Sequence, residues 1–120
     1  MRDLMAVTKA LADENRVRIL LALKDRELCV CQIVEMLQLA PSTVSKHLAI
    51  LKQARLLECK KNGRWIGYKL ADENSSLEAR EAIAWVTRLL ADDPEIKEDV
   101  RRIKEILKID PEELCRKQHR

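Results

Sequence analysis

The sequence predicts a mainly α-helical fold interrupted by a small β-hairpin wing, and three observations carry that expectation. The core has to be built from Leu, Ile, Val and Ala, because the 120 residues include no Phe, one Tyr and two Trp. Such a supply suits helix packing better than an all-β sandwich. Apolar residues recur at helical spacing through most of the chain. The spacing turns strand-like only around Asn62-Gly63, the dipeptide that most strongly signals a tight hairpin. At 47% hydrophobic and 36% charged residues, the composition excludes a disordered chain. No apolar run approaches the ~20 residues of a bilayer-spanning helix, so no membrane partner is expected.

The elements follow in order. Leu4, Val7, Ala10 and Leu11 mark a first helix, and Asp13 reads as the N-cap of a second, Glu14 to Leu23, with Val17, Leu20 and Leu21 inward. Cys29-Val30-Cys31 opens a third, whose apolar positions Ile33, Val34, Leu37 and Leu39 lead to a break at Ala40-Pro41. Proline favours a first helical position, so a fourth helix starts there. Its inward stripe is Val44, Leu48, Leu51 and Leu56, which leaves Ser42, Thr43, Ser45, Lys46, Lys52 and Arg55 for the other faces. Two helices joined by a short turn, the second opening in hydroxyl residues, form a helix-turn-helix pattern. Strand-like runs Leu57 to Lys61 and Arg64 to Leu70 then flank Asn62-Gly63, and a basic hairpin directly after such a helix is a wing. A helix from Leu77 to Leu90 follows, then Glu95 to Ile109 with Ile96, Val100, Ile103 and Leu107 on one face. Asp110-Pro111 repeats the start signal for a last short helix. The reading is a winged helix-turn-helix unit over 1–92 with extra C-terminal helices over 93–120.

The net charge of +3 hides a sharp partition. From Pro41 to Lys69 there are seven basic residues and one acid, a balance of +6, while the remainder carries 16 basic and 19 acidic residues. One stretch is therefore positive on a slightly acidic protein, the footprint of a polyanion partner. The shortage of aromatics argues against base stacking and for reading a duplex groove. Ser42, Thr43, Ser45, Lys46 and His47 are the candidates for the groove, and Lys60, Lys61 and Arg64 for phosphates. Helix capping is the competing role for Ser42 or Thr43, since Ala40 has no capping side chain. A solvated face suffices for Lys52 and Arg55.

At Glu27-Leu28-Cys29-Val30-Cys31 and Ser42-Thr43-Val44-Ser45-Lys46-His47-Leu48, with Leu11-Ala12-Asp13 ahead and the Asn-Gly wing behind, the chain resembles the ArsR/SmtB family of metal-responsive transcriptional repressors. The likeness runs from about Leu11 to Leu90. It implies a homodimer, with the first helix and the helix around Trp85 as interface (Leu4, Val7, Leu11, Ile83, Trp85, Val86, Leu89). It also implies a palindromic double-stranded operator and release by an inducer ion. Arsenite sensors of the family hold As(III) or Sb(III) on Cys-x-Cys at this helix start, with a third Cys three residues later; here that place is Val34. The zinc site of the interface helix is not matched, since Leu77 to Leu90 contains no His. Cadmium and lead sensors that use N-terminal cysteines match poorly, since no Cys precedes Cys29. A trivalent metalloid is the leading inducer, with another soft metal (Cd, Pb) or thiol oxidation as the alternative.

Soft thiolates suit such ions, and a helix N-terminus favours the ionised thiol. Residues i and i+2 of a regular helix lie roughly 200° apart, so Cys29 and Cys31 can share an ion only if the first turn unwinds. The competing role for either is that of a buried core cysteine. For a further ligand, Cys59 alternates with Glu58 and Lys60 and shares a face with Leu57, which favours core filling. Cys115 lies four residues before His119 on one helical face, in a segment that could equally be a frayed tail. The first ten residues contain Asp3 and no apolar secretory segment, so a cytoplasmic location is expected. In that reducing compartment the four cysteines read as ligands, redox groups or core fillers rather than structural disulfides. Catalysis is not expected: there is no Gly-rich phosphate loop, no Cys-x-x-Cys beside a βαβ pattern, and no local pairing of nucleophile with base.

Overall fold

The structure is a computed structural model that describes residues 1–119. Among them the elements are α1 (Arg2–Leu11), α2 (Glu14–Ala22), β1 (Leu28–Cys29), α3 (Val30–Leu37), α4 (Pro41–Gln53), β2 (Leu57–Asn62), β3 (Trp65–Leu70), α5 (Leu77–Leu89), α6 (Pro94–Ile106) and α7 (Pro111–Gln118). The expected mainly helical, winged helix-turn-helix architecture is present. The helix starts are set by side chains: the Asp13 carboxylate accepts from the backbone N–H groups of Asn15 and Arg16 at 2.8 and 3.2 Å, and the Ser76 hydroxyl accepts from Ala79 at 3.1 Å. Asp93 and Asp110 cap α6 and α7 in the same way, each followed by Pro at the first helical position.

One hydrophobic core unites the chain. Ile19, Leu20 and Leu23 meet Ile33 and Met36 of α3 and Leu48 and Leu51 of α4, and Ile96, Ile103, Ile106 and Leu114 extend the same cluster into α6 and α7. Helix α1 packs on α5, while α6 lies against α2 and α3, and α7 against α3.

Three local readings change. A two-residue strand, β1, precedes α3 and pairs antiparallel with β3, giving the sheet order β1-β3-β2; two residues are too few to show an alternating period. The hairpin turn is Gly63-Arg64 rather than Asn62-Gly63, because Asn62 still pairs with Trp65. Gly63 takes φ +63°, as the first turn residue of a type II′ hairpin requires, and the Asn62 amide donates to Glu27 Oε1 at 2.6 Å, holding Asn62 in the strand. On α6 the buried positions are Ile96, Asp99, Ile103 and Ile106, and Leu107 is exposed.

That last shift has an electrostatic cause. Asp99, 2% exposed, receives two hydrogen bonds from the Arg18 guanidinium of α2, both at 2.9 Å, with Glu95 3.4 Å from the same group. The pair raises the Arg18 pKa above its ordinary value, the Asp99 hydrogen bond being the main cause. A bidentate arginine-carboxylate fork makes burial of Asp99 tolerable. Asp99→Asn should therefore leave Arg18 poorly compensated and lower the unfolding free energy by about 3 kcal/mol, read as an earlier midpoint in urea unfolding followed by circular dichroism; an unchanged midpoint contradicts this.

Candidate nucleic-acid interface and thiol pair

Pro41 starts α4 with Ala40 as an N-cap that supplies no side-chain bond. Neither Ser42 nor Thr43 serves as the cap. Both are exposed with Ser45 and Lys46, while Val44, Leu48 and Leu51 anchor the opposite face. His47 differs from its neighbours. It is half-buried, and its Nδ1 lies 3.3 Å from Arg16 Nη1, in a guanidinium that also donates to the carbonyls of Ala10 and Lys9 at 2.7 and 3.1 Å. Arginine only donates, so Nδ1 accepts and the ring proton sits on Nε2.

Beside α4 the hairpin carries Lys60 and Lys61, both exposed; being consecutive in β2, they point to opposite faces of the wing. Arg64 occupies the turn itself, 5.7 Å from the centre of the Trp65 ring, and pairs with Glu112 of α7 at 2.9 Å. Lys69 is matched across the strands by Glu58 at 3.1 Å, which raises its pKa, the hydrogen bond being the main cause. Lys52 lies exposed beside Cys59, and contact with that thiol raises its pKa in turn. Part of the positive stretch is thus met by acids of this chain. The Glu112 contact joins residues 48 apart and has no local signal in the sequence.

The cysteines are arranged differently from their expected positions. Cys29 is the N-cap of α3 in extended conformation (φ −88°, ψ 166°), and its N–H donates to Gln32 Oε1 at 2.9 Å. Only Cys31 lies on the helix, so the 200° separation that required an unwound turn does not apply. Cys59 pairs with Tyr68 and Cys29 with Gly67, neighbours on β3, so the two thiols sit on opposite faces of the sheet. The expectation against disulfides is corrected: Cys31 and Cys115 are bonded to each other, with Cα atoms 5.5 Å apart. The cause is the docking of α7, which is no frayed tail. Leu114 is fully buried, Gln118 Nε2 donates to the Cys31 carbonyl at 2.8 Å, and Lys117 lies 3.7 Å from Glu35. His119 ends α7, exposed. Among the described residues no three or more His, Cys, Asp or Glu side chains cluster as a metal site.

On α1 and α5, Leu4, Trp85 and Leu89 are 45%, 51% and 60% exposed. Leu4, Leu11, Ala82 and Trp85 line an open groove of about 550 Å³ between α1 and α5. Val7 and Val86 are already buried within the single chain, and Leu11 and Ile83 are half-buried. No helix among the described residues is long and apolar enough to cross a membrane.

Residues 13–58 match the family model described as bacterial regulatory protein, arsR family. Over 77 residues the chain is 39% identical to the arsenic resistance transcriptional regulator ArsR1 of Pseudomonas putida, covering 61% of this chain and 60% of that protein. The chain spans about half to three fifths of the length of the first curated relatives it matches. Among solved structures, reduced HlyU from Vibrio cholerae superposes with a TM-score of 0.62 at 34% identity, over 73% of this chain and 88% of that one. The homodimeric winged helix-turn-helix DNA-binding domain of Mb0332 from Mycobacterium bovis gives 0.64 at 27% identity, over 78% and 82%. In sequence and in fold alike, the chain belongs to the ArsR family of bacterial regulatory proteins, whose winged helix-turn-helix domain is built here from α3, α4 and the β2-β3 hairpin.

Proposed function

We propose that the chain is a transcriptional repressor that binds a palindromic operator as a homodimer and leaves it when As(III) or Sb(III) is taken up by the thiolates of Cys29 and Cys31. The observation that carries this reading is the exposed polar and basic start of α4 beside the wing, one short turn after a helix with Cys29 at its N-cap and, in its first turn, Cys31, which becomes a thiol once its bond to Cys115 is reduced. Ser42, Thr43, Ser45 and Lys46 enter the major groove, and His47, whose Nδ1 is engaged by Arg16, offers its Nε2–H as a donor. Lys60, Lys61 and Arg64 meet phosphates, which gives affinity that falls with salt. The relative named for arsenic resistance supports the inducer class. The homodimeric neighbour supports assembly as a pair, and the face proposed for it is that of α1 and α5, where Leu4, Trp85 and Leu89 are exposed and Leu11 and Ile83 are half-buried. Val7 and Val86 support that face from beneath.

Release follows from packing. Helix α3 lies directly against α4, so an ion that draws Cys29 toward Cys31 shifts the support of the reading helix. A coupling of about 1–3 kcal/mol weakens binding by roughly 5–150-fold. Thiol oxidation is a second reading, favoured by the Cys31–Cys115 bond: a hydroperoxide takes two electrons and two protons from the thiols and is reduced to water or alcohol and water.

Titration of the reduced protein onto a duplex selected from a random pool should show tight binding abolished by arsenite. Cys29→Ser should leave DNA binding intact and raise the arsenite needed for release at least tenfold; release at the wild-type concentration sinks the assignment. Lys61→Ala should weaken binding to all duplexes and flatten the logarithmic salt slope by about one. An unchanged slope removes the wing from the interface.

A further inference from the structure

We propose that Cys31 and Cys115, in their reduced form, are a dithiol site for a trivalent arsenical, so that the inducer bridges α3 and α7 within one chain. The inference rests on the arsenite reading above and extends it to a thiol contributed by the C-terminal helix. Its ground is placement: the Cα atoms are 5.5 Å apart, and the two sulfurs lie close enough to bond. Opening the disulfide and seating a larger atom between the sulfurs calls only for side-chain rotation. The surroundings hold the two backbones in register, through the buried Leu114 and the Gln118 bond to the Cys31 carbonyl. Cys59 is kept out by the sheet, since it faces away from Cys29. Cys29 stands at the N-cap, two residues before Cys31, outside the bonded pair.

The chemistry balances without an oxidant. A phosphine reductant opens the disulfide, taking up oxygen from water and leaving two thiols. An arsenical of the form R–As=O then forms two As–S bonds, while the oxygen leaves with both thiol protons as water and arsenic stays trivalent.

There is also a path to the DNA face. Glu112 lies three residues before Cys115, on the same side of α7, and it is this carboxylate that holds Arg64 of the wing. Fixing α7 on α3 keeps Arg64 paired and withholds one phosphate contact.

The probe is phenylarsine oxide on the full, phosphine-reduced chain, followed by trypsin and mass spectrometry. Glu27 to Lys46 carries Cys29 and Cys31 on one peptide, and Ile109 to Arg116 carries Cys115 on another. One phenylarsenic joining these two peptides is the expected result, with Cys59 open to alkylation. Cys115→Ser should in addition weaken arsenite binding at least tenfold at an unchanged thermal midpoint; the peptide map decides independently if that variant is unstable. Arsenic confined to the first peptide, with Cys115 alkylated freely, overturns the inference and leaves the preceding reading standing. Arsenic bound to no thiol overturns both. Joined peptides with DNA affinity unchanged by the arsenical uphold the dithiol site and sink release by arsenite.

Discussion

Six of the eight residues of α3 are buried, and the remaining architecture is arranged around covering them. Helix α4 takes one side, α6 and α7 take others, and β1 continues directly into its first turn. A short helix has little stability of its own, so its position depends on tertiary packing. Each neighbour that covers α3 is therefore also positioned by it. The reading helix, the C-terminal pair and the sheet share one support, and a disturbance at the first turn of α3 reaches all of them.

This hub explains why the C-terminal residues belong to the same body as the winged helix. The apolar faces of α6 and α7 alone would not fold in isolation; their Ile96, Ile103, Ile106 and Leu114 are buried against α2 and α3. The Arg18 to Asp99 fork adds direction to that contact, because a planar guanidinium accepts a carboxylate in few orientations. Apolar burial supplies most of the adhesion, and the ion pair sets which face of α6 turns inward.

Local signals made much of the fold legible in the sequence. Asp13, Asp93-Pro94 and Asp110-Pro111 announce helix starts through chemistry acting within three residues, and the change of period at Leu57 announces the hairpin. What stayed hidden depended on partners far along the chain. The turn slipped by one residue because Asn62 is held by Glu27, and the stripe of α6 rotated because Asp99 found Arg18. The site divides in the same way. The hydroxyl and basic residues at the start of α4 could be read from helical spacing. The engagement of His47 by Arg16, of Arg64 by Glu112 and of Cys31 by Cys115 could not, since these contacts span 31, 48 and 84 residues.

Gly67 sits where these parts meet. Its backbone pairs with Cys29 on one side and Lys60 on the other, and the Glu27 side chain lies so close over it that a Cβ there would overlap the carboxylate. The thiol-bearing strand and the basic strand thus pair with the two edges of β3 at the same residue, which places no side chain between them. Any larger residue at this position would have to push the Glu27 carboxylate aside, and with it the partner of Asn62 in the hairpin. The joint between the two strand pairs is thus set by a residue defined by the absence of a side chain.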